Sequence, residues 1–357
     1  MRMRKKLKNA AISKPIRMWI DGKCFNIKKW SDTKNSQSDT TEPEGTQISN
    51  ETDFIVRDDG KVSVSFELPP YYYGKLTHFP NRNLFFDNLT AISSKLNTSI
   101  KVPDTSGTIE KIYVCGDSEA KVKESFDGIL SIIAQIRQMA KLTHFIGIPL
   151  VSDEIQSNFE IFKSEVLKFE NTRGLEESIF QSALKLHLTI DVLVLLSEAE
   201  KKEAKKALQE FNDDVLKPLI ARNGPIKIHV SGITKFDDEK IDKVNVVFAK
   251  AKFVNETDEV NLQKIANALL EHFYEKGFLK TYKDNVVLHM TLINTKYRKK
   301  SSYRNSRRRY ESLDATKIME KFKDFEFGTC EFKTLTISEM SSVGEDGFYR
   351  SLIRVDV

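Results

Sequence analysis

At 357 residues, 40% of them apolar and 23 of them Phe, the chain is long enough for two or three folded units with real cores, which excludes a disordered protein. Its longest apolar runs, such as Ile190-Asp191-Val192-Leu193-Val194-Leu195-Leu196, fall well short of the roughly 20 residues that span a bilayer, so no membrane segment is expected. The net charge of +5 is local: Lys296 to Tyr310 holds eight basic residues and no acid, and without them the net charge is −3.

The N-terminus carries Arg2, Arg4, Lys5, Lys6 and Lys8 with no apolar run behind them. A secretory signal is therefore not expected; the acid-free stretch before Asp21 leaves a mitochondrial transit peptide open, and the Lys-rich cluster fits a nuclear address better. Cys24, Cys115 and Cys330 form no CxxC pair, which argues against structural zinc and a disulfide framework and for a reducing compartment. Residues 1–30 hold one apolar patch around Met18-Trp19-Ile20 and Cys24-Phe25. It predicts a small hairpin or docking segment, too small for a core of its own. The chain then turns polar and acidic, and 31–60 is predicted to be a disordered linker.

Residues 61–140 predict a compact α+β unit. Val62 to Leu68 alternates strictly and reads as a strand ended by Pro69-Pro70. Leu84, Phe85, Leu89, Ile92 and Leu96 have helical spacing; two strands follow at 99–102 and 109–114, then a helix over 118–139. This β-α-α-β-β-α order, with Thr98-Ser99-Ile100-Lys101-Val102-Pro103 and Val114-Cys115-Gly116, resembles a KH domain. The resemblance implies that nucleic acid is gripped by a GxxG loop between the first two helices. Here the loop is either Gly74-Lys75-Leu76-Thr77 or Pro80-Asn81-Arg82-Asn83, and neither keeps both glycines. Lys75 and Arg82 would supply what remains of the RNA contact.

From 141 to 357 the expectation is a bilobal, mostly antiparallel α+β fold. Strands are predicted at 144–150, 226–233, 243–251, 329–338 and 348–355, and helices at 153–169, 197–221, 261–276 and 316–322. Two further strands carry matching motifs 102 positions apart, Leu186-His187-Leu188-Thr189-Ile190 and Leu288-His289-Met290-Thr291-Leu292. Side chains i and i+2 of a strand share a face, so each motif sets an imidazole beside a hydroxyl. With six His and 51 Ser or Thr, about one His-x-Ser/Thr is expected by chance. A third copy, His229-Val230-Ser231, lacks the flanking pattern and is taken as a decoy.

Two His-x-Thr strands about a hundred residues apart resemble the two-histidine phosphoesterase superfamily. The flanks Thr143-His144-Phe145, Val194-Leu195-Leu196-Ser197 and Asn294-Thr295 resemble its A-kinase-anchor-like branch. The resemblance implies two lobes related by a pseudo-two-fold axis, a nuclear setting, and a helicase and other subunits of a transcription-coactivator or DNA-repair complex as partners. The chemistry needs no metal and no cofactor. One imidazole removes a proton from the attacking water or hydroxyl and the other protonates the leaving oxygen. Thr189 and Thr291 would hydrogen-bond the non-bridging oxygens of an RNA phosphodiester or 2′,3′-cyclic phosphate. Which of His187 and His289 is the base stays open at this stage. No phosphate-binding Gly-rich loop, HExxH or acid cluster offers a competing chemistry.

The basic stretch follows the second motif directly. Lys296, Arg298, Lys299, Lys300, Arg304, Arg307, Arg308 and Arg309 would attract phosphates, while Tyr297, Tyr303 and Tyr310 interleave as stacking platforms for single-stranded RNA. The expected function is an RNA-directed phosphoesterase with a KH-like module. The alternative is a non-catalytic adaptor that holds RNA or a nucleotide on the same fold.

Overall fold

The computed structural model describes residues 16–20, 23–27, 54–77, 86–103, 111–279, 283–298 and 311–357. The chain divides into two units, one of 1–141, 194–203 and 274–282, the other of 142–193, 204–273 and 283–357.

In the first unit the N-terminal apolar patch folds as a hairpin of β1 (Ile16–Ile20) and antiparallel β2 (Lys23–Ile27). Met18, Ile20 and Phe25 are buried in one apolar cluster with Val64, Phe66 and Phe126, which supplies the core that so short a hairpin lacks. The end of the predicted linker is structured: β3 (Ile55–Val56) pairs with β4 (Val62–Phe66) around a turn at Gly60, φ 78°. α1 (Pro70–Thr77) opens on a proline, whose missing N–H is harmless in a helix's first turn. This corrects the expectation for Gly74-Lys75-Leu76-Thr77. These residues are helical rather than a loop, and Lys75 lies in the last turn with its ammonium 5.9 Å from the Tyr71 ring. The other candidate loop, with Arg82, lies outside the described residues.

α2 (Phe86–Leu96), β5 (Ser99–Lys101), β6 (Ile112–Gly116) and α3 (Glu119–Met139) complete the unit. On α3, Val122, Phe126, Ile129, Ile132, Ile133 and Ile136 recur at helical spacing and are all buried. The sheet order is β3-β4-β6-β5, antiparallel throughout. Near the end of α3, Arg137 is buried against Glu200 at 2.6 Å and also donates to the Val194 carbonyl and the Tyr72 hydroxyl. The second oxygen of Glu200 accepts the Leu196 amide at 2.6 Å. Buried charges persist only when paired and hydrogen-bonded, and this cluster fastens 194–203 to the unit.

The second unit begins with β7 (His144–Pro149), α4 (Asp153–Leu167) and β8 (His187–Leu193). The predicted long helix is α5 (Glu198–Phe211) and α6 (Lys217–Asn223), joined by a π turn over Asn212–Leu216. Pro218 lacks the N–H that a continuous α-helix requires there. β9 (Lys227–Lys235), β10 (Val246–Phe253), α7 (Leu262–Glu275), β11 (Met290–Asn294) and α8 (Thr316–Phe322) follow. The strand predicted over 329–338 is in fact two, β12 (Glu326–Glu331) and β13 (Thr334–Glu339), and β14 (Ser351–Asp356) closes the chain.

The sheet runs β12-β9-β10-β11-β8-β7-β13-β14, antiparallel at every pair. It is bilobal as expected: four strands lie on each side of the β11–β8 seam, and strand-helix-strand units β7-α4-β8 and β10-α7-β11 match across it. Between β12 and β13 the chain crosses from one half to the other, which residue alternation alone could not reveal. Under the sheet, Phe162 of α4 meets the rings of Phe180, Phe322, Phe325 and Phe327 at 5.2 to 6.4 Å. Such pairs add roughly 0.5–1.5 kcal/mol each beyond the area they bury.

Candidate active site

Met290 of β11 pairs with Leu188 of β8, and both are fully buried. Antiparallel register extended one residue either way from this pair sets His187 towards Thr291, and Thr189 towards His289, which immediately precedes β11. Leu188 and Met290 take the core face, so alternation sends the two histidines and two threonines to the other, where all four are half-buried. The two motifs therefore meet at the centre of the sheet.

Each motif ends on a β-bulge at the same place. On β8, Thr189 pairs with Gly147 and Asp191 with Ile146, so Ile190 is skipped. On β11, Thr291 pairs with Phe248 and Ile293 with Val247, so Leu292 is skipped. Bulges bend a strand and re-aim its side chains, and here they occupy the fifth residue of both motifs. The Leu292 carbonyl accepts the Gln181 amide at 2.9 Å.

The imidazoles are fixed in the same way. His187 Nδ1 lies 2.7 Å from the Lys185 carbonyl and His289 Nδ1 lies 2.6 Å from the Val287 carbonyl. A carbonyl only accepts, so both Nδ1 atoms carry hydrogen and the neutral rings offer Nε2 as acceptor. Thr189 Oγ1 donates to His187 Nε2 at 3.0 Å. Phe145, Tyr349 and Phe348 surround His187 with centroids at 4.8, 5.4 and 6.0 Å, while Phe236 and Phe248 flank His289 at 5.5 and 5.1 Å. Burial pushes the His187 imidazole down to about 4, against the opposing pull of the Lys185 carbonyl, and the neighbouring His289 lowers it further. Burial also lowers His289, opposed by the Val287 carbonyl.

Supporting residues come from positions without a motif. Gly147 leaves room for Phe145, because a Cβ there would meet that ring at 2.9 Å. Asp191, buried, binds Lys283 Nζ at 2.6 Å and so ties the approach to the second motif to the strand of the first. Gln181 donates to the Tyr297 hydroxyl at 3.1 Å and the Tyr349 hydroxyl at 3.5 Å. Lys185 places its ammonium 4.6 Å from the Tyr349 ring centre. Only the lysine, two residues before a motif histidine, is within reach of sequence reasoning.

Of the predicted basic contacts, Lys296 is exposed in a short 3₁₀ turn, Thr295–Tyr297, directly after β11. Tyr297 turns its hydroxyl to Gln181, and burial pushes its pKa up to about 12. Arg298 departs from expectation. Its side chain is buried, paired with Glu176 at 2.7 Å and bonded to the Gly174 and Glu311 carbonyls, so it serves the fold rather than a ligand. Lys299, Lys300, Arg304, Arg307, Arg308 and Arg309 lie outside the described residues, as do Tyr303 and Tyr310. Lys75 belongs to the first unit. The decoy His229 sits on β9 with Nε2 held by Glu326 at 2.7 Å. Among the described residues no group of His, Cys, Asp and Glu could hold a metal, and no helix is long and apolar enough to cross a membrane.

Two matched motif strands at the centre of a bilobal antiparallel sheet define the class, a two-histidine phosphoesterase domain. Residues 142–357 match the family model described as the AKAP7 2′5′ RNA ligase-like domain, and the chain belongs to this family. It is 30% identical over 282 residues to activating signal cointegrator 1 complex subunit 1 of Mus musculus, covering 76% of this chain and 78% of that protein. Among solved structures it is similar to a protein described as a phosphoesterase, at 16% identity over 61% of this chain and 99% of that one, TM-score 0.35. It is also similar to E. coli LigT complexed with 3′-AMP, at 18% identity over 60% and 97%, TM-score 0.35.

Proposed function

We propose that this protein is an RNA-directed phosphoesterase in which His187 and His289 act as the acid–base pair on one phosphate and Thr189 and Thr291 hydrogen-bond its non-bridging oxygens. The observation that carries this is the Leu188–Met290 pair, which brings the two motifs together on one face. With both Nδ1 atoms held by carbonyls, each ring keeps Nε2 for proton transfer, which at His187 requires Thr189 to give up its hydrogen bond to that nitrogen and turn to the phosphate. The substrate class is an RNA phosphodiester or 2′,3′-cyclic phosphate. Lys296 and the basic residues at 299–309 would draw the RNA in, and the first unit, built in the order of a KH-like domain, would add contacts through Lys75 and Arg82. The similarity to a mouse complex subunit supports work within a multi-subunit nuclear assembly of the coactivator or repair type, with a helicase among its partners.

The test is incubation of short RNAs ending in 2′,3′-cyclic phosphate with the full chain and with His187→Ala and His289→Ala variants. Each substitution should lower turnover about 10²–10⁴-fold. Equal rates in all three would refute the catalytic proposal, and RNA binding without turnover would leave the adaptor function.

A further inference from the structure

The sheet face that carries both motifs continues beyond them onto β10 and β9. On β10, Ala249 pairs with Met290 and is fully buried, so Phe248, Lys250 and Lys252 alternate to the opposite face, the one that holds Thr291. Phe248 pairs with Thr291, and its ring lies 5.1 Å from that of His289. Antiparallel register extended one residue past the Ala249–Met290 pair sets Lys250 towards His289, and Lys252 follows one step further out. On the other side of β10, Lys250 is paired with Ser231 and Lys252 with His229. Both lysines are exposed, and among the described residues neither has an ion pair. The nearby acid of β12, Glu326, is already engaged: His229 Nε2 donates to it at 2.7 Å. Beyond β10 the chain turns acidic, with Glu256, Asp258 and Glu259.

We propose that Lys250 and Lys252 form a short track for the phosphate backbone of single-stranded RNA, leading away from the motifs along β10. This rests on the RNA-directed function proposed above and makes the preferred substrate a chain rather than a single nucleotide. Residues two apart on a strand are about 7 Å apart. One nucleotide of an extended single strand can span that step, so successive phosphates can meet successive lysines. An ammonium with no counter-charge in the protein has no ion pair to give up, and each phosphate it neutralises releases counterions. The Ser231 hydroxyl beside Lys250 can donate to the same phosphate. Contacts of this kind position a backbone and carry no base identity, so the track is indifferent to sequence. The acids that follow β10 repel a further phosphate, which ends the track after Lys252.

The test is the salt dependence of binding to a fluorescent oligouridylate, read by anisotropy on the full chain. The wild type is compared with Lys250→Gln/Lys252→Gln, with Lys250→Arg/Lys252→Arg, and with Lys205→Gln/Lys317→Gln. The last pair removes the same charge from exposed positions on α5 and α8. The slope of log affinity against log salt should fall by about 1.4 in the β10 glutamine pair, roughly 0.7 for each of two phosphates. It should hold in the arginine pair and in the helical control. An unchanged slope in the β10 glutamine pair, or an equal fall in the helical control, would overturn the track. Turnover of oligouridylates ending in 2′,3′-cyclic phosphate gives a second reading. Wild-type kcat/KM should rise as the first two nucleotides are added to the cyclic mononucleotide, and the β10 glutamine pair should lose that gain. A gain kept by that pair would overturn the track. A wild type with the lysine-dependent slope but no turnover would uphold the track and refute the phosphoesterase reaction.

Discussion

At the scale of single residues, the site is governed by what burial does to charge. His187 titrates near 6.5 in an unfolded chain and near 4 in the fold. Between these values the unfolded chain binds more protons, so stability rises with pH across this window. Above it His187 contributes no pH dependence; below about pH 4 the full penalty applies, up to about 3 kcal/mol. Urea midpoints at pH 4.5 and pH 7 should therefore differ by less in His187→Gln than in the wild type. The Arg137–Glu200 pair obeys the same rule in the first unit, where neither side chain reaches solvent. Glu200→Gln leaves the guanidinium without its counter-charge and should cost about 3–5 kcal/mol in denaturant unfolding, while adding Arg137→Met should restore part of that loss.

At the scale of elements, what the sequence carries and what it withholds separate by physical cause. The helical period of Val122 to Ile136 and the repeated Leu-His-apolar-Thr pattern record burial on one face, and one-dimensional spacing preserves that record. α1 escapes a reading by pattern because its signals are a start proline and three adjacent tyrosines, with only Tyr72 and Leu76 fully buried. The β12–β13 break escapes it because only Phe332 and Lys333 separate the two strands, with no glycine or proline to mark a turn. The shared bulges at Ile190 and Leu292 leave no mark in composition, since a skipped residue exists only relative to its partner strand. Gly147 shows the consequence for design of the site. Gly147→Ala should displace the Phe145 ring from His187 at a stability cost of about 1–3 kcal/mol and, by opening the enclosure, move the His187 imidazole back up towards 6.5 in an NMR titration.

At the scale of the whole molecule, charge and chemistry are adjacent in the chain. Strand β11, which carries the second motif's threonine, runs directly into Lys296 and the basic stretch that holds the protein's positive excess. Arg298 is withdrawn from that group by its pair with Glu176, so RNA affinity should depend on the remaining cations. Replacing Arg307, Arg308 and Arg309 with Gln should weaken single-stranded RNA binding and reduce the slope of log affinity against log salt by roughly 0.7 for each phosphate no longer neutralised. An unchanged slope would assign those arginines to another role. The central claim is that both motifs act on one phosphate, and it is tested most directly by a crystal structure of the protein with uridine–vanadate, which imitates the five-coordinate phosphorus of the reaction. Vanadate should lie between the motifs with His187 Nε2 and His289 Nε2 each about 2.6–3.2 Å from oxygens on opposite sides of the metal centre. Vanadate bound to one histidine alone, or away from the Leu188–Met290 seam, would contradict it.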